Sequence, residues 1–145
     1  MGLIFELEES EYSGPIDDDT VMAAECLEIK QKEMPWDTDA GVPDKKIEFK
    51  FVVTEDGPHQ GRFLWGKTST KFNNNPNCKL YAWSQEIAAT EFPIGYKMDT
   101  DILIGQPCRV VVGYREYEKD GMMKGINEVK DCLRSREAMA AGDPF

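Results

Sequence analysis

The chain has 145 residues, 41% apolar and 30% charged, the balance of one globular domain that buries its core without disulfide or metal staples. No apolar run approaches the ~20 residues that cross a bilayer. Leu3-Ile4-Phe5 leads into acids rather than a cleavage site, and Glu6 stands where a myristoylation motif wants Ser or Thr, so the expectation is a cytosolic protein without leader or anchor.

Net charge is −10, which speaks against a nucleic-acid partner until its distribution is read. Residues 1–19 hold seven acids (Glu6, Glu8, Glu9, Glu11, Asp17, Asp18, Asp19) and no base, and the rest of the chain carries only −3. Residues 1–20, broken by Gly14-Pro15, therefore read as an acidic arm, mobile or docked at an edge. Val21–Lys32 alternates loosely through Cys26, Leu27 and Ile29, a first strand long enough to bend. Glu33–Lys45 holds Met34-Pro35-Trp36 and Ala40-Gly41-Val42-Pro43-Asp44, which is loop chemistry. Lys46–Thr54 then places Ile47, Phe49, Phe51 and Val53 on one side and Glu48, Lys50, Val52 and Thr54 on the other. That period of two, rich in aromatic and β-branched residues, is a strand with one buried face. Asp56-Gly57-Pro58 turns the chain, and Gly61–Thr68 returns as a third strand with Phe63, Trp65 and Lys67 on one face, Arg62 and Leu64 on the other. Residues 45–79 hold seven bases against three acids, so this hairpin and its sequel are locally basic.

Thr70–Asn77 is polar, and Asn75-Pro76 offers an N-cap and a first helical residue. Leu80, Trp83, Ile87 and Ala88 recur at helical spacing, giving one amphipathic helix of about three turns. Thr90–Asp101 is a connector interrupted by Pro93 and Gly95. Leu103–Tyr117 alternates through Cys108, Val110, Val112 and Tyr114 as a fourth strand, Lys119-Asp120-Gly121 turns, and Met122–Asp131 is a fifth. Cys132–Ala141 adds a short helix ended by Gly142. The class is all-β with one main helix. A hairpin alone is marginal in water, so the strands must complete a sheet or barrel. Five strands with the helix between the third and fourth is the order of the OB-fold, a Greek-key barrel that binds oligonucleotides on strands two and three and the flanking loops. The barrel spans residues 21–132, residues 133–145 form the short helix and tail, and no repeat or second domain is visible.

Several motifs carry a further resemblance: Trp65-Gly-Lys-Thr-Ser-Thr70, the Asn/Pro-rich approach to Leu80…Trp83, Asp101-Ile-Leu-Ile-Gly-Gln-Pro-Cys-Arg-Val-Val-Val112 and the Asp120-Gly121 turn. Over about residues 20–132 the chain resembles phage-type OB-fold single-stranded DNA-binding proteins. The resemblance implies a host-cell cytoplasmic location, single-stranded DNA as partner, and service in replication or recombination. The final Gly142-Asp-Pro-Phe145 resembles the tip of bacterial single-stranded DNA-binding proteins, although the acidic density here lies at the other end of the chain. A terminal carboxylate beside an apolar ring suits a basic pocket with a hydrophobic floor, so Asp143, Pro144 and Phe145 are candidates for recruiting a replication or recombination protein.

Gly61-Arg-Phe-Leu-Trp-Gly-Lys-Thr68 fits the phosphate-loop expression Gly-x4-Gly-Lys-Thr letter for letter, but with the wrong physics. Such a loop needs an apolar strand before it and a helix beginning at its Lys, whereas here bulky strand formers fill the middle and Ser69–Asn77 continues no helix. The alternative is a stacking surface. Bases stack on Phe63 and Trp65 while Lys50, Lys67 and Lys71 meet phosphates, with little sequence readout. Alternation alone leaves open whether the two rings face solvent or the core. Trp36 in the first loop, and Tyr117, Lys119 and Lys124 around the last turn, are further candidates because those loops flank the groove of this fold. His59 stands alone in a turn, Asp17-Asp18-Asp19 reads as a solvated run, and no nucleophile–base–orienter set can be assembled, so no enzyme and no cofactor are expected. Cys26, Cys78, Cys108 and Cys132 are too dispersed for a zinc site and read as buried free thiols. The competing reading is a barrel-type protein-interaction module, a viral adaptor or inhibitor, in which the central face is buried or flanked by acids. Oligomeric state is left open, a homo-oligomer included.

Overall fold

A computed structural model describes residues 2–4, 14–34, 44–75 and 77–142. Strands β1 (Thr20–Met34), β2 (Asp44–Val53) and β3 (Phe63–Ser69) precede helix α1 (Lys79–Ala88). A single 3-10 turn (Thr100–Leu103) follows, then β4 (Pro107–Lys119), β5 (Met122–Arg134) and the short α2 (Arg136–Gly142). The strands form one antiparallel sheet in the order β3-β2-β1-β4-β5.

β1 holds the two halves of the sheet together. Its first residues, Thr20–Glu25, pair with β4, and Ala24–Met34 pair with β2. The register slips between Cys26 and Glu28, leaving Leu27 as the extra residue of a bulge, and a bulge bends its strand. That bend carries the sheet toward a barrel. Its two edges approach each other at Gly66 of β3, where an added Cβ would lie 3.0 Å from Val129 of β5. Among the described residues the sheet order ends at β3 and β5, with no ladder between them. Side chains seal the seam instead.

At one end α1 packs against β5 and β3. Leu80, Trp83 and Ile87, the apolar positions at helical spacing, are buried. The Trp83 indole meets Phe49 edge-on at 5.4 Å. Phe49, Phe51, Val53, Leu64, Cys108, Val110 and Val112 line the interior, as strand alternation requires. At the other end the last residues of the acidic segment pack into the core. Ile16 is 2% exposed. The Asn127 side-chain amide clasps it, accepting from its N–H (2.9 Å) and donating to its carbonyl (2.8 Å) and to that of Gly113 (3.1 Å). The Arg62 guanidinium bridges the seam, donating to the Gly14 carbonyl and to Asn127 Oδ1. Next along, Asp18 accepts from the Tyr114 N–H (3.0 Å) and Lys130 Nζ (3.1 Å), and Asp19 pairs with the same ammonium. Lys130 is the residue left unpaired by a second bulge, opposite Val111 and Val112, which is how a strand lysine comes to face this corner.

Several expected boundaries move, three of them for a visible reason. α1 starts at Lys79 with Cys78 as N-cap, not at residue 76, because Asn75 spends its side chain on an Asx turn, accepting the Asn77 N–H at 2.9 Å. β4 starts at Pro107, since Leu103 is needed as a fully buried plug at the end of the 3-10 turn, whose N-terminus Asp99 caps. β5 runs on to Arg134, so Cys132 is a buried strand residue opposite Val110 rather than the start of a helix. All four thiols are free and buried, as read from their spacing. Burial pushes the Cys26 and Cys108 thiols up to about 12 and Cys132 well above its usual value, which makes them poor nucleophiles.

Candidate nucleic-acid interface

The structure decides the face that alternation left open. Leu64, Gly66 and Thr68 point inward, while Phe63 and Trp65 are 46% and 42% exposed beside an exposed Lys67. The reason is volume. A β3 residue at position 66 sits beneath the Trp83 ring, where an added Cβ would come within 2.8 Å of the indole, so only glycine fits and the flanking large rings take the outer side. Gly66 of the phosphate-loop pattern is thus a packing glycine, and Lys67 and Thr68 belong to a strand with no helix following until Lys79.

Cross-strand register assembles the outer surface in rows: Trp65 with Lys50 and Glu28, Lys67 with Glu48 and Lys30, Phe63 with Val52 and Glu25. Phe63 and Trp65 lie 6.5 Å apart at 59°, and Lys50 Nζ lies 4.4 Å from the Phe63 ring centre and 5.8 Å from that of Trp65. The ammonium covers the ring faces at which a base would stack. An exposed cation–π contact holds about 0.5–1 kcal/mol, whereas a base on an aromatic platform contributes roughly 1–3 kcal/mol. A base stacking there would displace the ammonium and leave it free to meet a phosphate. The acids of these rows lie on β1 and β2. Glu48 is buried against Lys32 at 2.9 Å, and Glu28 lies 3.7 Å from Lys30. The β3 side, running Phe63, Trp65, Lys67 and then the exposed Lys71, keeps the positive excess.

Tyr117, Lys119 and Lys124 sit on a separate feature. Residues 115–126 of the β4–β5 hairpin are exposed throughout, a two-stranded ribbon closed by Asp120 and Gly121, both at positive φ. Tyr117 and Lys124 face each other across it, but Glu116, Glu118 and Asp120 stand among the bases. The ribbon is rooted at Asn127, which Arg62 contacts one residue before Phe63. Trp36 and the tip Asp143, Pro144 and Phe145 lie outside the described residues. Sequence reading missed a cluster of rings, Phe72, Phe92 and Tyr96 from the connectors on either side of α1 and Tyr81 from α1 itself, with Phe92 and Tyr96 stacked at 4.9 Å. Only the aromatic density of those connectors signals it.

Among the described residues no group of His, Cys, Asp or Glu is arranged to hold a metal ion, and no helix is long and apolar enough to cross a membrane. Comparison with protein-family models and with curated proteins gives no match in either case.

Proposed function

We propose that this protein is a non-catalytic single-stranded DNA-binding protein of the OB-fold type, serving replication or recombination. The sheet order, the helix between β3 and β4 and the near-meeting of β3 and β5 support the fold reading. One observation carries the function: Phe63 and Trp65 are large rings held at the surface on the same face as Lys50 and Lys67, at the position where oligonucleotides lie on this fold. The protein-interaction reading draws on Glu25, Glu28 and Glu48, which border the same rows. Glu28 and Glu48 are paired with lysines, and of the three only Glu48 directly neighbours β3, so the DNA reading is preferred.

Fluorescence anisotropy with a labelled twelve-residue oligothymidylate tests it. With about three phosphates neutralised, affinity should fall roughly 20-fold between about 50 mM and 200 mM salt. No binding at the lower salt would remove this reading and favour the interaction module.

A further inference from the structure

A pocket of about 290 Å³ opens beyond the end of β3, lined by Phe72, Asn73, Asn74, Tyr81, Phe92 and the loop from Pro93 to Tyr96. Four of its nine lining residues are aromatic and two carry side-chain amides. The pocket is also held in shape. The Tyr81 hydroxyl donates to the Phe92 carbonyl (3.3 Å), the Phe92 N–H donates to Gln85 Oε1 (3.2 Å), and the Tyr96 N–H closes a turn onto Pro93 (3.0 Å). These bonds tie the loop to α1. Yet Ile94 is 81%, Tyr96 41% and Phe72 37% exposed, an apolar surface that the fold does not itself cover.

Its position follows from the chain path. β3 ends at Ser69, so the pocket begins at Phe72, three residues past the end of the strand that carries Phe63, Trp65 and Lys67. A second hollow of about 330 Å³ shares Phe72 and is lined otherwise by Ile29, Lys30, Gln31 and Ile47 of the sheet with Leu80, Met98 and Thr100. Within one residue of the lining positions stand two lysines, Lys71 and Lys97, against one acid, Glu91. Aromatic walls, two side-chain amides and lysines one residue along the chain from the lining suit a nucleobase.

We infer that this pocket takes a nucleobase of the strand lying along β3, extending the oligonucleotide site past Ser69 into the connectors around α1. The inference rests on the DNA-binding reading of the β3 face. Tyr96→Ala and Ile94→Ser test it, both at exposed positions whose variants should keep the wild-type unfolding midpoint. Affinity for the twelve-residue oligothymidylate should drop between about fivefold and about 150-fold in Tyr96→Ala, the range that one lost stack brings. The slope of log affinity against log salt should stay unchanged, because no phosphate contact is removed. Ile94→Ser should lower affinity in the same direction with the same slope. Wild-type affinity in both variants, while Trp65→Ala is weakened, would overturn the pocket and leave the β3 face standing. Absence of binding by the wild-type chain would overturn both.

Discussion

Trp65 and Gly66 are neighbours with opposite duties. Trp65 projects from the outer face and contacts Phe63 and Lys50, so its loss leaves the core intact. Trp65→Ala should weaken oligothymidylate binding by about 1–3 kcal/mol with an unchanged thermal midpoint. A variant that unfolds would contradict the assignment of that face. Gly66 is the reverse case. An alanine methyl there meets the Trp83 ring at 2.8–2.9 Å and Val129 at 3.0 Å, where both sides belong to a packed core. Gly66→Ala should cost about 1–3 kcal/mol of stability in urea unfolding, the usual cost of overpacking. The same experiment separates a packing glycine from a phosphate-cradling one, which would tolerate the change in stability.

At the scale of elements, the Gly14–Asp19 segment covers one end of the core as α1 covers the other. Its electrostatic part has a pH signature. The Tyr114 N–H, followed by Lys130, holds the Asp18 carboxyl below the usual carboxylate range. A depressed carboxylate contributes stability above its unfolded value, ~3.9, and loses it as pH falls through the lower folded value. Asp18→Asn should therefore lower the thermal midpoint at neutral pH, and its gap from the wild type should close below about pH 4. A gap independent of pH would mean that Asp18 acts through shape and not charge. The carboxylate is exposed, so the gap should also shrink at high salt.

For the whole molecule, the uneven charge sets the expectation. Seven acids precede residue 20, and a basic aromatic face lies on β3. Attraction between that face and the four acids of residues 1–13 would compete with DNA and would be screened over about 10 Å at 0.1 M salt. The deletion that tests this must stop before Gly14, since removing Ile16 would open the core. Deleting Met1–Ser13 should tighten oligonucleotide binding, most at low salt, whereas deleting Asp143–Phe145 should leave affinity unchanged. Equal affinities in all three chains would reduce the arm to a solubility feature.

The elements were legible because their signals are local. The alternation of Ile47–Val53, the helical spacing of Leu80, Trp83 and Ile87, and the Asp120-Gly121 turn each depend on neighbours a few residues away. The five strands and α1 follow, with ends shifted where Asn75, Leu103 and Cys132 answer to partners elsewhere. Sequence alone also showed that the basic residues gather around the central hairpin. It did not say which face of β3 is outside, because Phe63, Trp65 and Leu64 are all apolar. That was decided by Trp83, seventeen residues past Gly66, whose ring leaves room for no side chain on the inner face. Nor did it show that Ile16, inside an acidic run, belongs to the core. Its place depends on Asn127, 111 residues away, and on Arg62 across the seam. Local pattern determines an element, but contacts between distant parts of the chain determine which of its faces meets water.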